Sequence, residues 1–341
     1  TGASVQQTLR AAGVPRGLAR LAARDAEGVD RRVYIFCGSV AAEVGDGVVL
    51  ERDPQTRCFV AKADASPSEE MCAFATSQAR WNQMLRTPCE FVLSSPSEEC
   101  GRGIFSVRPP RPEEAQPQLE ELGDRLLEHL RGQTKRRAPM VEVLLCTARR
   151  ITETILPELG RTGKELVLVV VADSAPENDG DRRRFAQALQ GLAERPVRIV
   201  VRLCSREQQV VDFYRSLGAQ ATQVDVLGDI QREEQKVAAW GNDWFVYTPV
   251  LHRLREAGTS WPLVAASAKR VLSGEEVRQL AVVLLEEDRP LEALSVDALL
   301  LQAERVGGAS VLDGGNNERR PPLDPARFRE ALIGATMRLE G

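Results

Sequence analysis

With 341 residues and 43% hydrophobic content, the chain is long enough for one large domain or two smaller ones with packed cores. Charged residues make up 28% and nearly cancel, for a net charge of -4; this argues against a general nucleic-acid partner, because phosphate binding needs a concentrated positive surface. No apolar run approaches the ~18 residues of a membrane span, and seven scattered cysteines without a C-x-x-C pair signal neither a disulfide framework nor a zinc finger.

That cysteine usage makes a reducing, intracellular compartment the expectation, the cytoplasm first and an organelle not excluded. No basic-then-apolar signal segment opens the chain. Residues 4–27 predict two short helices broken at Gly13-Val14-Pro15, too small for a core of their own. Arg31-Arg32 leads into Val33 to Cys37, a β-branched and aromatic run of strand length that stops at Gly38-Ser39. Residues 43–67, with Gly45, Gly47, Pro54 and Pro67, read as a loop or edge hairpin with a possible short strand at Cys58 to Ala61. From Ser68 an amphipathic helix with an acidic first turn runs to Thr87-Pro88, and strand Cys89 to Ser94 follows, with Gly103 to Val107 a candidate to pair beside it.

Past a proline-rich turn, Arg108 to Pro117, helices are predicted at Leu119 to Leu130 and Met140 to Leu159, the second ending at Gly160. Leu166 to Ala172 is then seven apolar residues in a row, stopped by Asp173 and a Pro/Asn/Asp/Gly turn. This is the pattern of a central parallel strand buried on both faces. Helix Arg182 to Glu194, strand Val197 to Cys204, helix Arg206 to Leu217 and strand Thr222 to Val226 complete a βα alternation. The fold class is therefore α/β, a Rossmann-like doubly wound and mostly parallel sheet flanked by helices. Beyond Gly228 the pattern turns all-helical: Asp229 to Trp240, Val250 to Ala257, Ser273 to Glu286, Ser295 to Arg305 and Pro325 to Met337, around a polar loop from Gly314. Three segments follow: an N-terminal helical segment 1–30, an α/β domain 31–228, and a C-terminal helical extension 229–341 expected to pack on that domain.

Several groups invite chemistry. Cys37, at the end of a predicted central strand, could be a nucleophile, yet no base or cation is placed beside it, and Glu43 stands where a phosphate-holding arginine would be needed. Asp173 with Asp179 could form a paired-carboxylate site; alternatively Asp173 bonds loop amides and Asp179 starts the next helix. Gly160-Arg-Thr-Gly163-Lys164 precedes its strand and lacks phosphate-loop spacing, so it reads as a helix end and turn. Trp240, Trp244, Phe245, Tyr247 and Trp261 cluster with Asn242, Asp243 and Thr248 among them, which favours core packing over nucleic-acid stacking, with a partner-binding patch as the second reading. The basic runs Lys135 to Arg137 and Arg182 to Arg184 read as solvated charge, and His252 as locally hydrogen-bonded.

Four stretches together resemble a von Willebrand factor type A domain, and more narrowly the intracellular versions of algae and protists. Val33 to Gly47 stands where that family has its first strand and D-x-S-x-S loop, Ala138-Pro139-Met140 where it has T-P-L, and Val169 to Asp179 where it has a strand ending in T-D-G-x-P-T-D. Asn242 to Glu256 is similar to an N-P-W-L-T-Y-G-x-P-L-H-R-x-R-E run that follows the domain in some members. The resemblance implies a metal-ion-dependent adhesion site whose oxygen ligands surround Mg²⁺. Carried over, its positions are Cys37, Ser39, Ala41, Ala138 and Asp173, so three of the five lack the family's oxygen.

A thiol suits soft metals rather than hard ones. The expectation is accordingly a degenerate, metal-free site with no cofactor, in a non-enzymatic interaction or scaffold module of a multiprotein assembly. Its partners would be other protein subunits, bound at a strand edge formed by Ser39, Asp46, Ala138, Asp173 and Asp179. Two alternatives remain open: Ser39 and Asp173 still recruiting Mg²⁺ with waters, or a small-molecule hydrolase or transferase on a Rossmann-like sheet.

Overall fold

The computed structural model describes residues 2–37, 58, 66–93, 104–107, 117–126, 140–221, 223–285, 295–306, 311–312 and 319–337. Chain contacts divide it into two compact units, Ala26–Gly228 and a second that gathers Thr1–Asp25 with Asp229–Gly341.

The first unit is built on a six-stranded sheet: β1 (Val29–Cys37), β2 (Cys89–Leu93), β3 (Ile104–Val107), β4 (Glu165–Ala172), β5 (Val197–Leu203) and β6 (Val224–Leu227). Their order is β3-β2-β1-β4-β5-β6, parallel throughout except for β3, which pairs antiparallel on the outer side of β2. The chain thus winds outward in one direction from β1 and then in the other from β4, the doubly wound Rossmann-like order that the βα alternation implied. Alternate side chains serve opposite faces. Val33, Ile35 and Cys37 of β1, with Leu166, Leu168, Val170 and Ala172 of β4, join one core cluster; Tyr34, Phe36, Val167, Val169 and Val171 join the other.

On the first face lie α5 (Met140–Arg150), a π-helical turn (Ile151–Ile155), α6 (Leu156–Leu159), α7 (Asp179–Ala193) and α8 (Gln208–Gln220). The opposite face takes α3 (Pro67–Leu85) and α4, residues 117–126. The single helix expected over 140–159 is continuous but widens at the π turn, where Leu156 N–H donates to Ile151 O. Pro157 follows at once, and its missing N–H is accommodated by that slip in the ladder. α3 starts in a capping box, Ser66 N–H donating to Glu69 Oε2 (2.7 Å), and ends at Arg86 in the left-handed region with φ 56°.

Strand β1 begins four residues before the expected start, because charge hid it. Arg31 is tied to Asp30 (2.8 Å) and Glu90 (3.6 Å) at the sheet surface, whereas Arg32 is fully buried. Arg32 donates to Asn82 Oδ1 (3.0 Å), Asn82 Nδ2 to Tyr34 Oη (2.8 Å), and Tyr34 Oη to Gln78 Oε1 (3.4 Å). Buried polar groups persist when paired in this way; here they lock α3 onto β1.

The second unit holds α1 (Gly2–Ala11), the greater part of α2 (Arg16–Gly28), α9 (Ile230–Ala239), α10 (Pro249–Glu256), α11 (Pro262–Ser267), α12 (Gly274–Leu284), α13 (Val296–Val306) and α14 (Pro325–Met337). The all-helical expectation needs correction: β7 (Val311–Leu312) pairs antiparallel with β8 (Arg319–Arg320), and Phe245 bridges Leu323. Two-residue ladders leave no periodicity to read. The short α11 is likewise unforeseen. Among the described residues Cys37, Cys58, Cys72, Cys89 and Cys204 are buried free thiols, whereas Cys146 on α5 is disulfide-bonded. Among the described residues no helix is long and apolar enough to cross a membrane.

Gly17 sets the approach of α2 to α12. A Cβ there would collide with the backbone carbonyl of Val283. Alanine normally favours a helix over glycine by ~1 kcal/mol, but here the clash decides the sign. Gly17→Ala should lower stability by about 1–3 kcal/mol in urea unfolding; a stabilised variant would contradict this close contact.

Candidate functional site

In an open α/β sheet ligands gather beyond the carboxyl ends of the strands where the order reverses, which here is the β1/β4 junction. The hydrogen-bonded ladder continues to the very end of both strands. Cys37 pairs with Ala172, Asp173 N–H reaches Cys37 O (3.4 Å), and Cys204 N–H donates to Ala172 O (2.8 Å). Cys37 is fully buried and Asp173, one residue past β4, is half-buried.

Tyr214 completes this corner. It extends from the apolar face of α8, fully buried, and donates its hydroxyl to Ser174 O (3.0 Å), with Met140 Sδ at 3.5 Å. It thereby joins the β4 turn and the start of α5 to the middle of α8. Burial, reinforced by the Asp173 carboxylate, pushes the Cys37 thiol far up from its ordinary range. Burial likewise raises the Tyr214 phenol, with Cys37 and Asp173 adding to the effect. The corner therefore presents a neutral thiol, a neutral phenol and a carboxylate. A protonated, enclosed thiol is a poor nucleophile and a poor ligand for a hard cation.

Asp179 lies elsewhere. It is the first residue of α7, its side chain 88% exposed and 3.7 Å from Arg182. Asn178 caps that helix by accepting from Asp181 N–H (2.8 Å), and Arg182 Nε donates back to Pro176 O (3.1 Å). The turn is thus built from its own residues, and Asp173 and Asp179 have separate surroundings. Ser39, Ala41, Asp46 and Ala138 lie outside the described residues, as do His129 and the run Lys135 to Arg137. Arg184 pairs with Glu142 (3.1 Å) and Asp181 (3.3 Å). Among the described residues no three His, Cys, Asp or Glu side chains gather as metal ligands.

Sequence reasoning missed Tyr214, whose only signal is a tyrosine on the Val210, Val211, Leu217 stripe of α8. It also missed Arg202, which sits near the end of β5 with 5% exposure, bonded to Glu70 Oε1 (2.5 Å) on α3 and lying 6.0 Å from the Phe74 ring. An arginine inside a strand pattern gives no hint of which helix will supply its carboxylate.

The aromatic cluster and His252 belong to the other unit. Trp244 stacks obliquely on Phe328 of α14 at 5.3 Å, and Trp244, Phe245 and Tyr247 are buried while Trp240 is 46% exposed. His252 Nδ1 is 3.3 Å from Tyr247 Oη, and its Nε2 stands 3.2 Å from Glu256 without an aligned hydrogen bond. Beside them Arg255 and Glu233 form a fully enclosed ion pair at 2.8 Å, joined by Lys236 and by Tyr247 Oη (3.3 Å from Arg255).

No family model and no curated protein matches the chain. Among solved structures, the crystal structure of the TFIIH p34 N-terminal domain aligns over 59% of this chain and 92% of that one, at 10% identity and a TM-score of 0.34. The six-stranded, mostly parallel sheet with helices on both faces is consistent with a von Willebrand type A-like, Rossmann-type fold.

The buried acids set a pH dependence. Burial raises Cys37, Cys89 and Tyr214 in the folded chain. Below an unfolded thiol pKa of about 8.5 the thiols carry their protons in both states and contribute nothing. Above it the unfolded chain releases protons that the folded one keeps, so stability falls, by up to ~1.4 kcal/mol per pH unit for each thiol. Urea unfolding between about pH 7 and about pH 10 should show that decline. Iodoacetamide should leave Cys37 unlabelled until the unit unfolds; rapid labelling of the native chain would contradict the neutral-thiol corner.

Proposed function

We propose that the chain is a non-enzymatic protein–protein interaction or scaffold module of a multiprotein assembly, with a degenerate metal site and no cofactor. The observation that supports this reading is the end of β1. Where the resemblance puts a metal-binding carboxylate, Cys37 offers a protonated thiol enclosed against Ala172. A hard cation requires oxygen, and the hydroxyl of Ser39 with the carboxylate of Asp173 would leave most of its shell to water. Recognition at this edge then rests on shape and neutral contacts. Nearly balanced charge favours protein over nucleic-acid partners.

The reading is tested by thermal unfolding with and without millimolar Mg²⁺, Mn²⁺ and Ca²⁺. An ion present at a hundred times its dissociation constant would stabilise the fold by about 2.7 kcal/mol, a readily measured rise in Tm. No rise is expected. A rise that disappears in Asp173→Ala would replace this proposal with a metal-dependent binding domain. In the metal-independent case, Asp173→Ala should lower Tm while leaving partner affinity within about twofold, less than ~0.5 kcal/mol. A sharp loss of affinity at unchanged Tm would show that Asp173 touches the partner.

A further inference from the structure

The described cysteines fall into two groups. Cys37, Cys58, Cys72, Cys89 and Cys204 are free thiols, none of them more than 7% exposed. Cys146, in the second half of α5, is disulfide-bonded and only half-buried. Chains built for an oxidising compartment use their cysteines as a framework of several bridges. Five thiols kept beside one bond within reach of solvent is instead the pattern of a reversible disulfide, since exchange requires that a thiolate reach one of the two sulfurs.

The surroundings favour that exchange. Glu142, four residues before Cys146 on the same side of the helix, is paired with Arg184 (3.1 Å), whereas Arg149, three residues after it, is exposed. A positive charge there draws in an anionic thiolate. The inner stripe of α5 is apolar and closed, with Met140, Val141 and Leu144 buried in the core cluster that contains β1 and β4 side chains. Breaking the bond therefore leaves that packing in place.

We propose that the disulfide at Cys146 is a redox-sensitive clasp on α5: oxidised, it ties the helix to a second part of the chain; reduced, it leaves the helix held by packing alone. A small thiol of the glutathione class performs the reduction. One thiolate attacks a sulfur of the bond and releases the other as a thiol, and a second thiolate resolves the mixed disulfide. Two protein thiols and one glutathione disulfide result, the two electrons coming from the glutathione pair. Loss of the cross-link returns freedom to the open and unfolded states. The clasp uses no residue of the proposed partner edge, so it stands or falls independently of the function proposed above.

The test uses the full chain. In the native, air-oxidised protein iodoacetamide should leave Cys146 unlabelled, and a non-reducing digest should join its peptide to that of Cys100, the one cysteine of the seven that lies outside the described residues. Millimolar glutathione at about pH 8 should then open Cys146 to labelling while the five buried thiols stay unlabelled. It should also lower Tm by roughly 5–10 °C and speed amide hydrogen exchange in α5 at least tenfold, with β4 unchanged. Cys146→Ser should match the reduced chain and no longer respond to glutathione; Cys100→Ser serves if that variant does not fold. Labelling of Cys146 without reductant, or a bond that yields only after the chain unfolds, overturns the proposal, as does reduction that leaves exchange in α5 unchanged.

Discussion

The pairing of β1 with β4 is the constraint on which the α/β unit depends. Every side chain from Leu166 to Ala172 is wholly buried, because helices cover both faces of a strand that also has a hydrogen-bonded neighbour on each side. Such a strand must stay apolar to its last residue, so any polar function can begin only beyond it, at Asp173. β1 differs in one respect: Cys37 still lies inside the ladder. A carboxylate at that depth would need a metal or several donors to offset its desolvation, whereas a thiol is accommodated as a small apolar group. The thiol at the end of β1 and the closing of the corner around Tyr214 are thus a single packing solution.

The other unit depends on enclosed charge rather than on an apolar slab. Glu233 and Arg255 are both out of contact with water, and each is satisfied by more than the other: Lys236 serves the carboxylate and Tyr247 the guanidinium. A pair of this kind is weak evidence for net stability but fixes geometry, since removing one partner strands the other. The resemblance over Asn242 to Glu256 takes on a physical meaning here. Asn242, Trp244, Tyr247, His252, Arg255 and Glu256 are all buried. Asn242 alone binds Ser267 O and Arg270 O (both 2.8 Å) and accepts from Leu272 N–H (3.2 Å). That run encodes how α9, α10 and the segment before α12 meet, which is a packing requirement.

What could be read without coordinates divides along the same line. Buried apolar periodicity is local, so β4, β5 and the helices between them were legible, as was α3 between its acidic first turn and Thr87-Pro88. Interactions between distant residues were not. Arg32 looked like a lead-in to a strand because its partner, Asn82, is fifty positions away. The grouping of the first helices with the last ones depends on contacts such as Asp25 accepting from Ser260 N–H (2.6 Å), across more than two hundred residues. At the candidate site Cys37 and Asp173 were found from strand ends alone, while Tyr214 arrives from a helix whose docking no spacing rule supplies. The disulfide at Cys146 was hidden for the same reason, as spacing carries no information about a lone pairing.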